Sequence, residues 1–179
     1  MQEIDAGCES VSFCKTIDLI LSSKDVKDDD IVYLLEDDYL HRPGWPLVMR
    51  EAFASFGVDY VTLYDHADKY MHDVYPNLAT QLLATRACHW RTTPSTTNTY
   101  SLYFKTLREH RDDHLAFSDI EKYGRITADH DKFMAMMAKG RVLISSVPGF
   151  STHVESNLMS PTVNWEYLHR GVSTSASAK

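Results

Sequence analysis

Apolar residues along this chain fall into short clusters separated by charged turns, and their spacing alternates between helical and extended. From Ser10 to Ser22, the residues Val11, Phe13, Cys14, Ile17, Leu19, Ile20 and Leu21 form a mostly helical stripe, with Ser10 or Ser12 as its cap. A charged turn follows, and then Ile31-Val32-Tyr33-Leu34-Leu35, an apolar run rich in β-branched and aromatic types that predicts a buried strand. The run stops at three consecutive carboxylates, Glu36-Asp37-Asp38. Pro43-Gly44-Trp45-Pro46 opens a helix that extends through Phe56, with Leu47, Val48, Ala52 and Phe53 inward and Gly57 as its C′ residue. Val58 to Leu63 predicts a second strand, and strand–helix–strand order implies parallel pairing.

Beyond that point the pattern loosens. Tyr64 to Asn77 is polar and aromatic, long for a simple connection, and of the composition that marks functional loops. Leu82–Thr92 and Thr99–Phe104 predict further strands, and Lys105–His110 begins a helix. Asp129 to Lys139 predicts a helix closed by Gly140, and Val142-Leu143-Ile144 a short strand. With no repeat and no linker, the pattern gives one domain over residues 1–172 and a small, polar, disordered tail over 173–179.

Composition narrows the class. The chain has 179 residues, 44% hydrophobic and 24% charged, which suits one well-buried domain. A net charge of −7 without a Lys/Arg cluster argues against a nucleic-acid partner. No apolar run is long enough for a transmembrane segment, and no basic-then-apolar signal opens the chain. Cys8, Cys14 and Cys88 are odd in number and scattered, as in reduced thiols of a cytoplasmic protein. Self-association into a homo-oligomer is left open.

Four groups could carry chemistry. Glu36, Asp37 and Asp38 offer hard oxygen ligands for Mg²⁺ or Mn²⁺ bridging to a diphosphate, or else form a solvated acidic turn. Asp129 and Asp131 open a helix, where carboxylates favour the dipole, and either could act as a general base if it faces a cleft. His153 could join a metal shell only if the other groups converge on it. Trp90 offers a stacking face and Arg91 a fork for phosphate or carboxylate, unless the strand edge is polar and the Trp is core.

Together these pieces resemble a known family. Leu35-Glu36-Asp37-Asp38 at a strand end looks like the DXD-type motif of nucleotide-sugar glycosyltransferases with the GT-A fold. Ala128-Asp129-His130-Asp131-Lys132-Phe133, running on to Gly140-Arg141, is similar to the "ED" helix of the inverting family 2 type. The resemblance implies an α/β, Rossmann-related, mixed but mostly parallel sheet flanked by helices in a single domain. It implies that Asp38 and His153 bind Mn²⁺ or Mg²⁺, that Asp37 helps with ribose or metal beside Glu36 as a further substrate-binding candidate, and that Asp129 is the base. The reaction would move a sugar with inversion from a nucleotide-diphosphate sugar donor to a glycan or other hydroxyl acceptor, with Trp90 and Arg91 holding substrate groups. Two positions depart from the pattern: Ala128 replaces the family's Glu, leaving Asp131 as an alternative base, and only about one helix precedes Ile31. That short lead-in carries the alternative of a non-catalytic, N-terminally truncated carbohydrate-binding or assembly module. A metal-dependent phosphohydrolase using the same acidic cluster is a third reading.

Overall fold

The structure is a computed structural model and describes residues 3–168 and 170. In chain order its elements begin with α1 (Glu9–Ser22), β1 (Ile31–Leu34), β2 (Tyr39–His41), α2 (Trp45–Ser55) and β3 (Tyr60–Thr62). They continue with β4 (Leu82–Ala84), β5 (His89–Thr92), β6 (Tyr100–Tyr103), α3 (Phe104–Glu109) and α4 (Arg111–Ala116). Then come α5 (Ile120–Tyr123), α6 (Asp129–Ala138), β7 (Leu143–Val147) and β8 (Ser151–His153), with short 3-10 turns at Ala67–Tyr70 and Ser156–Leu158. The expected tail, 173–179, lies outside the described residues.

The chain forms two compact units, each assembled from distant segments. The first comprises Met1–Leu34, Val58–Tyr60 and Pro94–Leu143; the second comprises Leu35–Gly57, Val61–Thr93 and Ile144–Lys179. In the first, strands follow the order β1-β6-β3, and β1 pairs antiparallel with β6 in the register Ile31 to Tyr103 through Leu34 to Tyr100. Its core gathers Phe13 and Ile17 of α1, Leu34, Tyr60, Tyr100, Leu102, Leu107, Phe133, Met136 and Leu143. The predicted stripe of α1 therefore supplies Phe13 and Ile17, while the expected cap Ser10 is buried and donates to the Gly124 carbonyl instead. Helix α6 ends as the sequence indicates, with Gly140 at φ +80, the left-handed conformation that a C′ glycine tolerates.

In the second unit the order is β3-β7-β5-β4, and β2 pairs with β8 as a separate antiparallel ribbon. Both β4 and β7 run antiparallel to β5. The stretch Leu82–Thr92, expected as one strand, is thus a hairpin. The Glu51 carboxylate accepts the backbone N–H groups of Arg86 and Ala87 at its turn, fixing the reversal. Helix α2 begins at Trp45 after Gly44 at φ +83, so its left-handed glycine sits at the start rather than at Gly57.

The pairing corrects the expected fold class. The sheet is mixed but predominantly antiparallel, whereas a GT-A or Rossmann-related sheet is mostly parallel. Strand–helix–strand order misled here because β6 lies between β1 and β3 and runs against β1. Among the described residues, no helix is long and apolar enough to cross a membrane.

Candidate functional site

The three carboxylates after β1 occupy the turn into β2. The β2–β8 ribbon places Tyr39 opposite His153, and the Val154 N–H donates to the Asp38 carbonyl at 2.9 Å. This register brings the Asp38 carboxylate to His153, Oδ2 to Nε2, at 2.9 Å. The Glu155 N–H donates to His153 Nδ1 at 3.1 Å, so the ring is neutral with its proton on Nε2 and donates to Asp38. Asp38 is 40% exposed, but its Oδ1 is buried and has no donor among the described residues. Asp37 is exposed beside it, and Glu36 is half-buried.

Tyr39 and Tyr64 pack edge to face with centroids 5.3 Å apart, and Tyr64 meets His66 in the same way at 5.1 Å. Burial raises the Tyr64 hydroxyl far above its usual range, and Asp68, Asp65, Glu36 and Asp38 push it the same way. Those four carboxylates therefore share one neighbourhood around Tyr64.

A second cluster grows from the loop after Tyr64. Asp65 is fully buried and pairs with Arg91 of β5, Oδ1 to Nη2, at 2.5 Å. Its Oδ2 accepts the Tyr70 hydroxyl at 2.7 Å. Arg91 also donates from Nε to Ser145 Oγ at 3.4 Å, and its guanidinium lies 4.8 Å from the Tyr70 ring centroid. Burial raises the Asp65 carboxyl, while Arg91 opposes that shift. The Tyr70 hydroxyl is pushed up to about 12 by burial and by its bond to Asp65. Tyr70 itself is 53% exposed, an aromatic ring held at its hydroxyl yet open to solvent. The loop's composition pointed to function, but no single residue in it stood out; Tyr70 is one of several tyrosines until the fold supplies Asp65 and Arg91 as its anchors.

The remaining sequence candidates fall elsewhere. Trp90 is fully buried, and its Nε1–H donates to Thr85 Oγ1 at 3.1 Å, so its ring serves the core and offers no stacking face. Asp129 and Asp131 belong to the first unit and Asp38 and His153 to the second. Asp129 opens α6, its Oδ1 accepting the His130 N–H at 2.7 Å; burial raises its carboxyl while Lys132 opposes the shift. Asp131 is exposed on the same turn.

Among the described residues, no group of three or more His, Cys, Asp or Glu side chains could hold a metal ion. The expectation of a metal-binding DXD motif with manganese is corrected accordingly. Asp38 and His153 do meet, but each faces the other, and the second imidazole nitrogen is engaged by Glu155. No protein-family model matches the chain, and no curated protein or solved structure matches it either. With a predominantly antiparallel sheet and no match, the resemblance to GT-A glycosyltransferases is withdrawn.

Proposed function

We propose that the chain is a non-catalytic carbohydrate-binding module whose ligand seats on Tyr70 in the second unit. The observation that carries this reading is the anchoring of a half-exposed ring by Asp65 and Arg91. A pyranose presents an apolar C–H face that suits an aromatic ring, and a ring already held in place loses little entropy on binding. Immobilising a free side chain otherwise costs roughly 0.5–1.5 kcal/mol. Of the carboxylates grouped around Tyr64, Glu36 and Asp68 are part-exposed and offer acceptors for sugar hydroxyls. A cytoplasmic setting accompanies this reading, with the three cysteines as free thiols.

The test is saturation-transfer NMR of the full chain against neutral mono- and disaccharides and against nucleotide sugars with Mn²⁺. Transfer from the protein to neutral saccharides, with no donor consumed, is expected. Consumption of a nucleotide sugar would restore sugar transfer as the function, and silence from every saccharide would remove the binding reading.

A further inference from the structure

Helix α4 is docked in an unusual way. It is six residues long, and His114 is its only buried residue. Leu115 is partly buried against the core, while Arg111 pairs with Asp18 at 2.8 Å and Asp113 with Lys139, both on the surface. The imidazole of His114 is fully buried, with Nδ1 2.8 Å from the Tyr100 hydroxyl, and its Nε2 has no partner among the described residues. One helical turn earlier, His110 repeats the arrangement: it is 3% exposed, Nδ1 lies 2.5 Å from the Tyr60 hydroxyl, and Nε2 is again buried without a partner among the described residues. His110 also joins α3 to α4 with φ −104 and ψ 15, outside regular helical geometry.

The surroundings decide which charge state fits. Around His114 stand Tyr60, Tyr100, Phe13 and His110, and Lys132 of α6 acts on it as a like charge. Lys132 is itself fully buried, bonded to Asn98 Oδ1 at 2.6 Å and facing the rings of Phe13, Tyr100 and Phe133. The Glu9 carboxylate in this network is held by Thr127 and Asn98, and Asp129 acts on Tyr100. His110 faces Arg141, opposed by Asp59, Asp113 and Glu109. A doubly protonated His114 would bury an Nε2–H with no acceptor and set a second cation near Lys132. The same ammonium disfavours a metal ion at the unpartnered nitrogens.

We propose that α4 is an acid-released latch: neutral His114 docks the helix, and proton uptake in weak acid undocks it about the His110 junction. The sign follows from linkage. The undocked imidazole has its ordinary proton affinity and the docked one a depressed affinity, so docking is complete above the ordinary value of 6.5 and weakens as pH falls below it. For a fully buried imidazole, the undocked fraction rises about 25-fold between pH 7 and pH 5.

Backbone hydrogen exchange of the full chain, corrected for intrinsic rate, reads this by segment. Exchange in Arg111–Ala116 should rise about 25-fold from pH 7 to pH 5 while α6 and β6 stay protected. His114→Phe should remove the pH response. Should that variant fail to fold, the ring ¹⁵N shifts of His114 in the native chain give the answer: the docked ring should stay neutral as α4 opens. An equal rise in every element, an unchanged response in the variant, or ordinary titration of His114 with α4 still protected would each overturn the latch.

Discussion

Asp38 Oδ2 accepts the Nε2–H of His153 at 2.9 Å, and the Glu155 N–H fixes the other ring nitrogen as an acceptor. The pair is a neutral donor bonded to a carboxylate. It is held by the antiparallel register of β2 and β8, which places Tyr39 opposite His153.

Nitrogen-15 NMR of the imidazole should therefore find the His153 proton on Nε2 at neutral pH, and millimolar Mg²⁺ should leave the resonance in place. Asp38→Ala strips that N–H of its acceptor and should cost about 1 kcal/mol in chemical denaturation. An unprotonated Nε2 that shifts with Mg²⁺ would count against the pair as drawn.

Arg91 and Asp65 form an ion pair whose carboxylate is fully buried. Removing either partner alone leaves the other charge uncompensated, so Arg91→Ala and Asp65→Ala should each destabilise the protein by roughly 3–5 kcal/mol. The double variant should lose less than the sum of the two, as a double-mutant cycle read by urea unfolding will show.

Trp90 is core, so Trp90→Ala should cost roughly 3–5 kcal/mol through cavity formation. Trp90→Phe should cost less, losing mainly the bond to Thr85 and some volume. In ligand titrations the Phe variant should keep wild-type affinity; a large loss would put the ring back at the binding surface.

Asp129 gives a pH test. Its folded carboxyl binds a proton more tightly than the unfolded one, because burial outweighs the attraction of Lys132. Its contribution to stability is thus fully present below the ordinary value of 3.8 and is lost as pH rises through the folded value. Asp129→Asn should be more stable than wild type at neutral pH, with the gain vanishing near pH 3 in thermal melts.

Much of the local structure was legible in the chain. The Phe13 and Ile17 spacing marked α1, the Ile31–Leu35 run marked β1, which ends one residue earlier at Leu34, and Gly140 marked the end of α6. Strand direction was not legible, because apolar runs such as Tyr60–Thr62 and Tyr100–Tyr103 read the same whichever way the neighbour runs. The hairpin at Arg86-Ala87 lacked a Gly or Asn turn signal, since Glu51, remote in sequence, holds it. His153 and Asp38 were linked only through a shared metal ion, and the spacing gave no sign that each would satisfy the other. The anchoring of Tyr70 was not legible either, because Arg91 reaches it from β5, remote in sequence from the loop that carries Tyr70 and Asp65.

The most direct measurement is calorimetric titration of the saccharide that binds best, in EDTA, against wild type and Tyr70→Ala. Saturable binding to wild type that EDTA leaves intact is expected, with a loss of at least about tenfold in the variant, equivalent to about 1.4 kcal/mol. Binding that needs added Mn²⁺ or a nucleotide, or that survives the loss of the Tyr70 ring, would contradict this expectation.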